Sequence, residues 1–324
     1  MSRVSPPGTA RPRRAEVTYL TPPRSTSFPA VRAQLEFSSR SLVFPDDGSR
    51  VLRVWGPSDA PYVVGVRESG ARWEVTGYGV DPPTARDAVR ALFSLDHDVE
   101  AFYRLARRER VLAGAARRFR GLRLPRDAHL YEALVHAIIG QQLSVRAAHA
   151  IKARLFASVG SFEEADGVAV PRVPSPREVA ALGVDGLRKV GLSGVKSRSI
   201  LALAGREREG ALDGDAFRSA PVETAVERLD AEPGVGRWTA ENALLRGVGR
   251  TDLFIAGDLG VRAALAAYGV LPRTAPERDA RRWADRWYPG WGSYATLYLW
   301  RRWTTEGSPP DAPRGVPSGK RAMT

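Results

Sequence analysis

LDAEPGVGRWTAENALLRGVGRTDLFIAGDLGVRAAL, residues Leu229–Leu265, holds three signals in order. A short apolar helix (Ala225, Val226, Leu229) runs into the tight turn Pro233-Gly234-Val235-Gly236. Arg237-Trp238-Thr239-Ala240 then opens a second helix, giving a helix–hairpin–helix over 225–246. After a further loop, Asp258 stands directly before another apolar-periodic run.

Two glycines one residue apart let the backbone adopt positive φ and bring its amides close to a partner. Those amides lie at a helix start, where donors lack intrahelical acceptors and the macrodipole favours an anion. Such a turn either packs two helices together or binds a phosphate without reading a base. Asp258 likewise has two compatible readings. It is an N-cap worth about 1 kcal/mol, and its negative charge at a helix N-terminus suits the stabilisation of a cation forming nearby.

The chain has 324 residues, enough for two domains with real cores. Its formal charge is +13, from 49 Lys+Arg against 36 Asp+Glu. That excess favours polyanionic partners, nucleic acid first and an anionic membrane surface second. No apolar run is long enough to span a bilayer, and MSRVSPPGTARPRR lacks the apolar segment of a secretory signal. Cysteine is absent, which removes a disulfide framework, a cysteine nucleophile and a Cys-ligated zinc or iron–sulfur cluster. The expectation is a cytoplasmic, nucleoid-associated protein.

Along the chain, residues 1–28 are rich in Pro, Arg, Ser and Thr and are expected to be a disordered basic tail. VRAQLEF, RVLRVWG, YVVGVRE and ARWEVTGYGV alternate apolar and polar residues between turn signals such as Asp46-Asp47-Gly48 and Glu68-Ser69-Gly70. They predict a small antiparallel sheet, closed by a helix after Pro82-Pro83, in an α+β domain over 29–95. Residues 96–304 read as about ten helices with no second sheet, a helical bundle, and 305–324 as a disordered tail. Arg107, Arg108, Arg110, Arg117, Arg118 and Arg120 form either a phosphate-facing stripe or a solvated helix face. In IIGQQLSVRAA, two helices flank Gly140-Gln141-Gln142-Leu143-Ser144, with Ser144 as N-cap; the glutamines read as a polar loop or as something more specific. In Gly191-Leu192-Ser193-Gly194-Val195-Lys196-Ser197, Lys196 and Arg198 either touch phosphate or belong to a packing turn. His136 and His149 read as core or surface histidines rather than ligands.

Taken in order, IIGQQLSVRAA, GLSGVKS, LxxxPGVGRWTA and Asp258 after its loop resemble the helix-hairpin-helix DNA glycosylases, in particular the bacterial AlkA type that acts on alkylated bases such as 3-methyladenine. The resemblance covers about Val31 to Thr304. It implies an N-terminal domain like the TATA-binding protein followed by an all-α glycosylase bundle.

It also implies roles. Asp258 would stabilise the oxocarbenium-like sugar formed as the glycosidic bond breaks. Trp238 and Trp300 would wall a base pocket with Asn242, their indoles attracting a cationic alkylated purine by roughly 0.5–2 kcal/mol. Gly234, Val235, Gly236, Arg237 and Thr239 would hold a phosphate, as would Lys196. The loop Gln141, Gln142, Leu143 and Ser144 would supply the wedge that fills the hole left by a flipped nucleotide, with Gln142 at the family's wedge position. Backbone carbonyls of Asp230, Glu232 and Val235 would hold a monovalent cation, Na+ or K+; no other cofactor is implied. Bifunctional members carry a Schiff-base lysine where this chain has Trp238, so no lyase activity is expected.

Three positions depart from the family pattern: Asn242 for a tyrosine, Gly257 for an acid, and Glu232 for an apolar residue. The expected activity is hydrolysis of alkylated purines from damaged double-stranded DNA by a monomer, leaving an abasic site. The alternatives are an enzyme for oxidised or deaminated bases on the same fold, and a non-catalytic damage binder.

Overall fold

The computed structural model describes residues 14–39, 43–46 and 50–307; the ends of both expected tails, 1–13 and 308–324, lie outside them. Strand β1 (Ala15–Leu20) falls within the stretch read as a tail. Helix α1 (Phe28–Ser39), strands β2 (Val43–Asp46), β3 (Arg50–Trp55), β4 (Tyr62–Ser69) and β5 (Arg72–Tyr78), and helix α2 (Pro82–Leu92) follow. The strands form one antiparallel sheet in the order β1-β5-β4-β3-β2.

VRAQLEF, expected as a strand, lies in α1. Val31 and Leu35 within it also stand at helical spacing, with Phe28 one turn before them, and all three are buried in the core formed with the sheet. The sheet edge beside β5 is filled instead by β1, in register from Ala15↔Tyr78 to Leu20↔Trp73. Both sheet faces are covered. Val51, Val64, Trp73 and Val75 pack with α1 and with Ala85, Val89 and Leu92 of α2. Leu52, Val54, Val63 and Tyr78 pack against Ala165 and Val170.

Those last two belong to a hairpin, β6 (Phe162–Ala165) and β7 (Val168–Pro171), inserted in the helical domain. The expectation of a bundle without strands is therefore corrected. The hairpin is needed because the far face of the N-terminal sheet is apolar and requires a cover.

The helices are α3 (Val99–Ala106), α4 (Arg110–Arg118), α5 (Leu130–Gly140), α6 (Val145–Ser158), α7 (Pro176–Lys189), α8 (Gly194–Arg208), α9 (Gly214–Ser219), α10 (Val222–Asp230), α11 (Arg237–Ala243), α12 (Leu259–Ala267), α13 (Glu277–Trp287) and α14 (Gly292–Glu306). They share one core running from Val99 to Trp303. Helix α14 reaches two residues into the expected C-terminal tail, and Arg118 holds Glu306 there at 3.0 Å. Among the described residues no helix is long and apolar enough to cross a membrane.

Charge joins the two domains. Arg53 of β3 is buried and pairs with Glu132 at 2.5 Å and with Asp127 at 3.4 Å. His136 lies 3.5 Å from Asp127, and Arg246 approaches its other oxygen at 3.7 Å. Burial alone would raise the Asp127 carboxyl, but Arg246, His136 and Arg53 hold it well below the usual carboxylate range. Burial pushes His129 and His136 down to about 4 and the Lys152 ammonium down to about 8. Asp127, Glu132 and His136 are close enough together for a metal. Arg53, Arg246 and Lys152 already balance their charge, so a dication has no excess anion to meet.

Candidate active site

Helix α10, the turn 231–236 and α11 form the expected hairpin. Gly234 has φ +76, and a Cβ there would collide with Ser199 Oγ on α8. Conformation and close approach both require glycine at this position. Around Gly236 a Cβ would meet open space, so the turn is free on the side where α11 begins. Past α11 the helix widens into a π turn, Leu244–Val248, where Gly247 packs so closely on α5 that a Cβ would lie 2.8 Å from Leu130 Cα.

The loop after α5 is tied to the hairpin. Gln141 Nε2 donates to Gly234 O and to Thr239 Oγ1, both at 2.9 Å. Lys196 Nζ donates to Ile139 O at 3.0 Å and Gln141 O at 2.7 Å. Gln142, exposed and at φ +55, projects from this braced loop, followed by Leu143. Ser144 caps α6 by accepting from Ala147 N at 3.2 Å, as expected.

Three residues read as phosphate contacts are therefore placed differently. Lys196 spends its ammonium on carbonyls at the C-terminus of α5, where unsatisfied acceptors await a cation; partial burial lowers its pKa. Thr239 is buried and serves Gln141. Arg237 holds Glu223 through two bonds of 2.8 Å and Glu241 at 3.0 Å. Val235 is buried as well, so its side chain packs while its backbone makes the turn. The stripe of arginines on and around α4 is partly paired, Arg118 with Glu306 and Arg120 with Glu100.

Asp258 is where the separate elements meet. It caps α12, Oδ1 accepting from Val261 N at 2.9 Å. The same oxygen accepts Trp300 Nε1 from α14 at 2.8 Å. Oδ2 accepts Trp238 Nε1 from α11 at 3.0 Å. Both tryptophans are half-buried, and both aim their N–H edge at the carboxylate. Asn242 sits one turn beyond Trp238 and donates to its carbonyl at 3.2 Å. Three donors from three helices fix one carboxylate in orientation. Substituting Gly260 would crowd it, because a Cβ there would stand 3.1 Å from Asp258 Oδ1 and 3.5 Å from the Trp300 ring.

Two of the sequence departures acquire a reason. At Gly257 a Cβ would lie 2.9 Å from a Glu277 carboxylate oxygen, so α13 already places an acid beside this position. Glu232 is paired with Arg206 of α8 at 2.9 Å, which removes its charge from the hairpin.

Two exposed apolar residues at helix starts were not singled out from the sequence. Val195 and Leu259 are 62% and 73% exposed, and Leu143 is 39% exposed. Each lies in the loop or first turn that opens a helix: Leu143 before α6, Val195 in α8, and Leu259 directly after Asp258. The signal available was an apolar residue in a helix's first turn.

Residues 135–289 match the model of the HhH-GPD superfamily base excision DNA repair proteins, a span that includes the braced loop, the hairpin and Asp258. Over that span the chain is similar to that superfamily. It is 35% identical over 202 residues to DNA-3-methyladenine glycosylase 2 of Escherichia coli, covering 61% of this chain and 64% of that protein. It is 34% identical over 221 residues to a probable bifunctional transcriptional activator/DNA repair enzyme AlkA of Mycobacterium tuberculosis, covering 68% of this chain and 43% of that one. The chain thus spans under two thirds of the length of both relatives. The fold is that of a 3-methyladenine DNA-glycosylase from Archaeoglobus fulgidus, with a TM-score of 0.77 at 22% identity over 88% of this chain and 97% of that one.

Proposed function

We propose that this protein is a monofunctional DNA glycosylase of base excision repair, acting as a monomer on alkylated purines of the 3-methyladenine and 7-methylguanine type. The observation that carries the reading is the Asp258 carboxylate, gripped by Trp238, Trp300 and the Val261 amide. The names of the curated relatives support the substrate class.

Rupture of the C1′–N bond sends its electron pair to the departing base and leaves positive charge on the sugar. Asp258 stabilises that charge electrostatically, and its fixed orientation means little reorganisation as the charge forms. A water oxygen then bonds to C1′ and loses a proton to the carboxylate or to solvent, leaving free base and an abasic sugar. Alkylation makes the purine cationic, which both weakens the bond and attracts the base to the two indoles. Asn242 leaves the site with one aromatic wall fewer than a tyrosine there would give.

No amine stands at position 238 to form a Schiff base. The chain's lysines are Lys152, Lys189, Lys196 and Lys320. Lys152 is buried among the interface charges and Lys196 is bound to α5 carbonyls. The reading is hydrolysis without strand cleavage.

Damaged duplex DNA would be held by the Gly234–Gly236 amides at the start of α11. Gln142 and Leu143 would enter the gap left by the flipped nucleotide, braced from behind by Gln141 and Lys196. A Na+ or K+ at the turn would be held by the carbonyls of Asp230, Glu232 and Val235. That of Glu232 accepts the Val235 amide at 3.0 Å and keeps a second lone pair for an ion.

The test is incubation with methylated duplex DNA, mass spectrometry of released bases, and a gel run without alkali. Release of 3-methyladenine or 7-methylguanine with intact strands is expected. Release of nothing, or of oxidised or deaminated bases only, overturns the substrate reading; strand breaks overturn the monofunctional one.

A further inference from the structure

Glu241 lies on α11, four residues after Arg237 and three after Trp238, and its side chain is 1% exposed. A single oxygen, Oε1, receives both Arg237 Nε at 3.0 Å and Arg281 Nη1 of α13 at 2.6 Å. The same Arg281 nitrogen donates to the carbonyl of Phe254 at 3.2 Å. That carbonyl also accepts Ala256 N at 2.8 Å, and Asp258 N closes on Ile255 O at 3.1 Å. Phe254 O is therefore the first anchor of the tight turn that delivers Asp258. The chain of charges continues outward, from Arg237 to Glu223 on α10 and from Arg281 to Glu277 at 3.6 Å, whose carboxylate lies against Gly257.

As a stability device this arrangement is poor. A buried ion pair recovers its desolvation cost only when its remaining polar atoms are satisfied. Glu241 Oε2 is buried with no hydrogen-bond partner, and burial raises the Glu241 carboxyl even against the two guanidiniums. What the arrangement does well is geometry. One carboxylate reaches the start of the hairpin helix, the helix that carries Trp238, and through Arg281 the root of the Asp258 turn.

We propose that Glu241 is a positioning residue for the reaction, setting the hairpin helix and the Asp258 turn in one register so that Trp238 Nε1 and Asp258 Oδ2 meet. The reacting sugar then finds its partners fixed before substrate arrives. This deepens the glycosylase reading and rests on it for its kinetic arm. It has a second arm that does not.

In the kinetic arm, Glu241→Gln and Arg281→Met are compared with wild type in single-turnover excision from methylated duplex DNA at saturating protein. Affinity is measured separately on a duplex carrying a stable abasic-site analogue. Each substitution is expected to lower the saturated rate by about tenfold or more while changing affinity by less than about threefold. The double variant should be no slower than the slower single one, because both residues act through one link. An unchanged saturated rate, or losses that multiply, would overturn the proposal.

In the second arm, without DNA, the indole N–H signals of Trp238 and Trp300 are assigned by Trp→Phe replacement and their exchange with solvent is followed. Both should exchange faster in Glu241→Gln and in Arg281→Met, with the remaining indoles unaffected. Unchanged exchange in both variants overturns the inference even if the wild type releases no base at all. Should Glu241→Gln fold poorly, Arg281→Met reads the same link from its other end.

Discussion

Two charge networks in this molecule are built to opposite plans. The one between the domains, Arg53 with Asp127, Glu132, His136 and Arg246, is buried, and its carboxylates are matched by cations from separate elements. The one at the candidate site, Glu223–Arg237–Glu241–Arg281–Glu277, is buried only at Glu241 and runs out to exposed acids at both ends. The first joins a sheet to a bundle and meets the hairpin helix only at its far end, through Arg246. The second touches the hairpin and the Asp258 turn and contributes little that a packed apolar cluster would not. The contrast separates charge that holds the fold in one arrangement from charge that aims reactive groups.

Asp258→Asn removes the charge at which the site network is aimed. Asparagine caps a helix about as well as aspartate, so stability should hold within about 1 kcal/mol. Excision should fall by about a thousandfold or more once the negative charge is gone. Duplex affinity should change little. Denaturant unfolding at the wild-type midpoint, together with lost base release, is the expected pair of results. Activity that survives would remove Asp258 from the chemistry.

The opposite experiment is Arg53→Met. It leaves Asp127 and Glu132 buried without their shared cation and should cost about 3–5 kcal/mol in denaturant unfolding. The excision rate per folded molecule should stay near wild type. A large loss of rate with little loss of stability would show that the interface network reaches the site after all.

Acid should sharpen the same distinction with a smaller step per group. His97, His129 and His136 are held by burial at about 4, below the ordinary histidine value of 6.5. Between those values the unfolded chain binds the proton and the folded one does not, so stability rises with pH there. Their contribution is complete above about pH 6.5 and is lost as pH falls towards 4, on the order of 3 kcal/mol per histidine. Urea midpoints taken across that window at constant ionic strength should fall steadily with acid. A flat profile would mean that these histidines are neither buried nor neutral.

Much of the site is legible in the sequence because its signals are local. A glycine pair before a helix, an aspartate before an apolar period and a serine after a loop each act within a few residues. The hairpin, the Asp258 cap and the Ser144 cap stand where the sequence places them. The errors fall where two periods coincide or where a distant partner decides. VRAQLEF satisfies both a strand and a helix, and only the sheet it packs against chooses. Residues 15–20 look like a tail until β5, far along the chain, supplies an unpaired edge.

Residue order and spacing alone already place the hairpin, the order of sheet and helices, the lack of cysteine and the Asp258 cap. These follow from residue type and short spacing. What the charged and aromatic side chains do depends on how the helices pack. Arg237 turns to Glu223 and Glu241, Lys196 turns to the carbonyls of α5, and Trp238 and Trp300 turn their N–H edges to one aspartate. A long side chain on a helix can reach many places, and which partner it meets depends on helices separated by tens or hundreds of residues. No period in the sequence carries that distance.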